Sequence, residues 1–122
     1  MENRVFKRVS CEIAASFKKV GGEHSFSPEE TTVRDISEGG IRFRSNQFIP
    51  IHDFFLIKLN LSQIKFIETI IKPAWIRELP RVEQYELGAS FISLSKEDRT
   101  QLHDYLTSKK ASYNPKTEES SL

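Results

Sequence analysis

Along most of this chain apolar and polar residues alternate, and only near the C-terminus does the apolar spacing lengthen to three and four. Residues 9–18, VSCEIAASFK, carry β-branched and small apolar side chains and read as a first strand. The loop KKVGGEHSFSPEE follows, with a Gly pair and Pro28, an excursion or a lid between strands. Residues 31–36 and 41–44 flank SEGG, a hairpin whose glycines suit positive φ or a bulge; in its second arm Ile41 and Phe43 face one way and Arg42 and Arg44 the other.

Residues 53–61 form a half-buried strand, with Phe55, Ile57, Leu59 and Leu61 on one face and Phe54, Leu56, Lys58 and Asn60 on the other. KFIETIIKPAWIRE, residues 65–78, is long for one strand. Its Pro73 cannot donate to a sheet ladder, which predicts a bend, bulge or edge there. A turn at Pro80 leads into a last strand over residues 82–92, in which Gly88 reads as a barrel bend.

The helix begins at SKEDRTQLHDYL. Ser95 is placed to cap it, Asp98 completes a capping-box pattern, and Leu102, Tyr105 and Leu106 make one apolar stripe. Beyond residue 108 the polar, aperiodic sequence predicts a disordered tail. Several strands followed by one helix predict an all-β barrel or sandwich with a helical appendage, and closure into a barrel would remove exposed sheet edges. Periodicity leaves open whether the helix plugs an end, packs on a side or serves a partner.

Composition narrows the function classes. At 122 residues and 38% hydrophobic, the chain has the size of one domain able to bury its own core. Eighteen Lys and Arg against 17 Asp and Glu lack the basic footprint of a duplex-DNA binder, so any anion site must be local. An OB-type single-strand binder is disfavoured on the same ground. One cysteine, Cys11, excludes an internal disulfide and points to a reducing cytoplasm; it reads as a small buried hydrophobe. His24, His52 and His103 are scattered, with neither metal-ligand spacing nor a nucleophile to serve, so neither a metal nor an enzymatic role is expected. The N-terminus lacks a signal-peptide core, and no apolar window reaches membrane-spanning length.

Two constellations carry candidate chemistry. Arg4 and Arg8 lie four apart on a short arm before the first strand, and guanidinium groups grip phosphate oxygens, pair with the O6 and N7 edge of guanine and stack on bases. A solvated basic arm would look the same. Asp35, Ser37 and Gly40, in DISEGG, offer a carboxylate for the N1 and N2 protons of guanine, a hydroxyl for phosphate or water, and an unobstructed backbone. These are also the residues that a hairpin turn favours. Arg34, Arg42 and Arg44 flank the turn and read as a solvated strand face; Trp75 reads as barrel core or rim.

Taken together, the two groups resemble the RxxxR and [D/N]xSxxG signatures of the PilZ domain family. The resemblance extends through KPAWIRE, similar to a strand that often carries a Trp, to LGASFISLSKEDRTQLHDYL, similar to the closing strand and terminal helix. It implies a six-stranded antiparallel β-barrel of split-barrel type, occupying residues 9–108 between an arm over 1–8 and a tail over 109–122. It also implies a receptor that binds the bacterial second messenger cyclic di-GMP and relays it by a conformational change to a downstream protein, with no bond made or broken. Arg4 and Arg8 would wrap phosphates and guanines, Asp35 and Ser37 would meet a guanine, and Gly40 would keep the turn open. Asn3 stands where many members carry a basic residue, which favours one ligand per protomer. The expected protein is a monomer or weak homodimer without cofactor, metal, nucleic acid or membrane; the alternative is a ligand-independent adaptor working through protein contacts alone.

Overall fold

The computed structural model describes residues 8–21 and 26–112, with side chains described as far as residue 108. Six strands close into an antiparallel barrel: β1 (Val9–Lys19), β2 (Glu29–Ile36), β3 (Gly40–Ser45), β4 (Phe55–Asn60), β5 (Phe66–Glu78) and β6 (Tyr85–Ser93), in the order β1-β2-β3-β6-β5-β4. The β1–β4 pairing, which runs from Ala15↔Leu59 to Lys19↔Phe55, closes the circle.

Alternation sets the inside. Cys11, Ile13, Ala15 and Phe17 of β1, Ile41 and Phe43 of β3, Phe55, Ile57 and Leu59 of β4, and Ile67 and Ile71 of β5 are all buried. Phe17, Phe26, Phe43 and Phe55 form an edge-on and tilted aromatic cluster, with ring centroids 5.0 Å apart for Phe17 and Phe43 and 5.1 Å for Phe26 and Phe55. Cys11 is buried as expected, its thiol donating to the Val33 carbonyl at 3.4 Å.

At Pro73, beyond the end of the β4 pairing at Ile71, β5 has a partner strand on one side only and it bulges: Pro73 pairs with Ala89 and Trp75 with Gly88, so Ala74 is the extra residue, and with a second shift between Ile70 and Ile71 β5 runs for 13 residues. The last strand starts at Tyr85 rather than at residue 82. Arg81 adopts φ 68° and the Leu79 N–H donates to the Gln84 carbonyl at 3.0 Å, a turn that takes residues 82–84 out of the ladder.

Helix α1 (Lys96–Ser112) follows directly on β6. The Asp98 N–H donates to Ser95 Oγ at 3.0 Å, so Ser95 caps it as the sequence predicts. Leu102 and Leu106, together with Leu94 from the connection, belong to the same buried cluster as the barrel interior, and the helix packs against β1 and β5. The apolar stripe therefore extends the core instead of awaiting a partner. Tyr105 packs beside it, where burial, and to a lesser extent Cys11, raises its hydroxyl pKa above the ordinary 10.0. The helix continues through Ser112, past the boundary expected after residue 108; the arm residues 1–7 and residues 113–122 lie outside the described residues. Among the described residues, no helix is long and apolar enough to cross a membrane, and no group of acidic, His and Cys side chains could hold a metal ion.

Candidate functional site

The β2–β3 turn is built by Ser37. Its N–H donates to the Gly40 carbonyl at 2.9 Å, and its Oγ accepts from the N–H groups of Gly39 and Gly40 at 3.0 and 3.3 Å. Ser37 is buried, and both side-chain contacts use its oxygen as acceptor, so its O–H proton is not spent in the turn.

Gly40 serves closeness rather than an unusual dihedral. Neither Gly39 nor Gly40 has a positive φ. A β-carbon on Gly40 would lie 2.2 Å from the Ala89 carbonyl oxygen, because β6 runs directly against the start of β3, and the Phe91 N–H donates to the Gly39 carbonyl at 3.0 Å. Of the positive φ or bulge expected of these glycines, the positive φ is not found, and at Gly40 a packing requirement stands in its place.

Hairpin register fixes the neighbours of Asp35. Ile36 pairs with Ile41, so Asp35 stands opposite Arg42 on β3, while Ser10 of β1 is its partner on the other side. The Asp35 side chain is only 16% exposed. Its Oδ2 lies 3.4 Å from Arg42 Nε and its Oδ1 3.4 Å from Arg8 Nη1. The Oδ1 contact is an ion pair without hydrogen-bond geometry, and among the described residues this buried oxygen accepts no hydrogen bond.

Arg42 leads onward to a tighter cluster. Its Nη1 donates to Glu86 Oε2 at 2.6 Å, and Arg77 donates to Glu86 Oε1 from Nε at 3.0 Å and from Nη2 at 2.6 Å. Glu86 is buried. That burial raises its pKa, but hydrogen bonds from Arg77 and Arg42 and their charges outweigh it, and the carboxyl lies below its ordinary 4.5. Arg8, Asp35, Arg42, Glu86 and Arg77 therefore run as a line of alternating charge along the outside of the barrel, three guanidiniums facing two carboxylates. Such a line has acceptors for the N–H edge of a base and cations for phosphate.

Of the residues the sequence singled out, the fold brings Arg8 to Asp35 and sets Ser37 and Gly40 in the adjoining turn. Arg4 lies outside the described residues. Arg42 is not the solvated strand residue it reads as, and Glu86 and Arg77 give no signal in sequence, since their meeting depends on β6 lying between β3 and β5. Hairpin register across SEGG, with Ile36 opposite Ile41, is the signal from which the Asp35–Arg42 pairing could be found. Trp75 lies on the outer barrel surface, 39% exposed, with its indole over Gly88. At the far side of the turn, Glu38 Oε2 meets His103 Nδ1 of α1 at 3.0 Å.

Solved structures share this architecture. The PilZ domain with c-di-GMP of YcgR from Escherichia coli superposes with a TM-score of 0.70 at 18% identity, covering 96% of this chain and 98% of that one. Bacillus subtilis inhibitor of motility (MotI/DgrA) gives 0.77 at 15% identity over 93% of this chain and 54% of that one. MrkH of K. pneumonia in its apo state gives 0.73 at 15% identity over 95% and 54%. This chain thus spans about half the length of the last two. At these identities the likeness is one of fold. No curated protein matches the sequence. The family model of the PilZ domain matches residues 2–108, nearly the whole chain, and the protein belongs to the PilZ domain family.

Proposed function

We propose that this protein is a cyclic di-GMP receptor that binds the dinucleotide between the arm residues Arg4 and Arg8 and the turn residues Asp35, Ser37 and Gly40. Occupancy is relayed by a conformational change to a partner protein. The observation that carries the reading is the buried Asp35 Oδ1, an acceptor without a hydrogen bond among the described residues, facing the arm residue Arg8. Family membership and the E. coli PilZ domain solved with c-di-GMP support the same ligand class.

In this reading Arg8 exchanges partners. Without ligand its guanidinium neutralises Asp35; with ligand the carboxylate accepts from the guanine N1–H and N2–H edge and Arg8 turns to phosphate and base. Ser37 contributes its remaining O–H, and Gly40 keeps β3 against β6 so that the turn holds its place. Ordering the arm costs conformational entropy that the ligand contacts offset, which makes the arm the switching element. The protein acts as a receptor in the cytoplasm, and binding chemistry is its whole task.

Calorimetry with pure protein and cyclic di-GMP tests this. Binding should be measurable at micromolar ligand, and Arg8→Ala and Asp35→Ala should each weaken it by roughly tenfold to a hundredfold, the loss of one charge-assisted hydrogen bond. Absence of heat at tens of micromolar ligand, or affinity indifferent to both substitutions, would exclude the reading.

A further inference from the structure

The two oxygens of Asp35 are held differently, and the difference leads to Arg42. Oδ1 faces Arg8, at the end of the arm, whereas Oδ2 faces Arg42, which stands in the middle of β3. Arg42 is not free to leave: its Nη1 sits 2.6 Å from Glu86 Oε2, and the other Glu86 oxygen is already taken by two donors of Arg77. Were Arg42 to rotate away, a buried carboxylate oxygen would lose its donor. Glu86 therefore anchors Arg42, and Arg42 presents its Nε side to Asp35.

We propose that Arg42 is a positioning residue of the nucleotide site, bridging Glu86 to Asp35 so that the Asp35 carboxylate is held in the orientation that reads both N–H donors of guanine. The inference rests on the binding function proposed above. It adds a third arginine, outside the arm and outside the DISEGG turn, that acts through another residue and sets base specificity.

The chemistry follows from the shape of the two groups. Guanine offers adjacent N1–H and N2–H donors, and hypoxanthine offers only N1–H. A carboxylate fixed in plane meets both guanine donors together, while one that turns freely settles on N1–H alone and gives up much of the difference between the bases. Only a planar fork can serve Glu86 and Asp35 from separate nitrogens at once; an ammonium on a flexible stem is a single point charge. The bridge also offsets the second carboxylate, which would otherwise repel a dianionic ligand.

The test compares calorimetric affinities for cyclic di-GMP and for its inosine counterpart, cyclic di-IMP, in the parent protein, Arg42→Met, Arg42→Lys and Glu86→Gln, with circular dichroism confirming the fold. The parent should prefer the guanine ligand by about tenfold or more, the scale of one bidentate base contact. Arg42→Met, Arg42→Lys and Glu86→Gln should narrow that preference to roughly threefold or less, mainly by weakening the guanine ligand. A residue with only a structural or general charge role would lower both affinities by one factor and leave the ratio intact, which would overturn the proposal. Should Arg42→Met fail to fold, Arg42→Lys decides, and a preserved ratio there overturns it equally. A parent that binds both ligands alike refutes the positioning role and leaves the receptor standing; a parent that binds neither refutes both.

Discussion

Trp75 and Gly88 are fitted to each other. They pair across β5 and β6, and a β-carbon on residue 88 would come within 2.4 Å of the indole Nε1 and 2.7 Å of Cε2. Gly88 is therefore the seat of the indole on the outer barrel surface, opposite the bulge of β5 at Ala74.

Gly88→Ala should lift Trp75 from its seat. The obstructing atoms belong to a ring and cannot move singly, so the indole must shift or β5 and β6 must part, at a cost of about 1–3 kcal/mol. Because Trp75 is the only tryptophan, its fluorescence reports the event directly. The emission maximum should move to longer wavelength and the unfolding midpoint should fall; unchanged emission would mean that the indole does not rest on residue 88.

Glu86 gives the barrel an acid-sensitive pair. Burial pushes its pKa up, the Arg77 and Arg42 hydrogen bonds and charges push it further down, and the net is a folded-state value below the ordinary 4.5. A carboxylate depressed in this way contributes stability that is fully present above its unfolded value and is lost as pH falls through the folded one. Unfolding midpoints should hence decline below about pH 4.5, and Glu86→Gln should flatten that limb while costing on the order of 1–2 kcal/mol at neutral pH, at the low end because both arginines are partly exposed. Parallel acid profiles for the two proteins would contradict the assignment.

Much of this was legible in the chain, and the limits have physical causes. Period-two alternation placed Phe55, Ile57 and Leu59 on one buried face, and Ser95 marked the helix start, because both signals are local. The meeting of Arg8 with Asp35 was reachable only through the family resemblance. The start of β6 was missed because Val82 reads as strand while Arg81 turns the backbone to positive φ, which side-chain type does not announce. Glu86 was missed for a different reason: a carboxylate on a strand reads as solvated until β3 and β5 bring an arginine from each side. Gly40 was expected at the site, but its reason, the Ala89 carbonyl, comes from a strand 49 residues away.

Gly40 can be separated from an ordinary turn glycine by substitution. An alanine there places its methyl carbon against a backbone oxygen at 2.2 Å, and backbone in a closed barrel does not yield as a side chain would. Gly21 is the converse, with φ +67° and open space around it. Chemical denaturation should show Gly40→Ala losing about 2–4 kcal/mol and Gly21→Ala only about 1 kcal/mol, the strain of the left-handed region alone. Equal losses would mean that β6 does not press on residue 40.

Helix α1 is held against β1 and β5 of the barrel. Two contacts compete to hold it there: the Glu38–His103 pair at 3.0 Å, and Leu102, which is 0% exposed within the continuous core. The histidine side chain is 63% exposed and the glutamate 32%, so water screens their attraction and the pair is worth no more than about 0.5 kcal/mol. Removing the Leu102 side chain deletes buried methyl groups and leaves a cavity under the helix, at a cost of about 2–5 kcal/mol. Thermal unfolding of His103→Ala should therefore stay close to the parent, and that of Leu102→Ala should fall sharply with loss of helical ellipticity. The reverse ranking would make the polar contact, and not the apolar stripe, the anchor of α1.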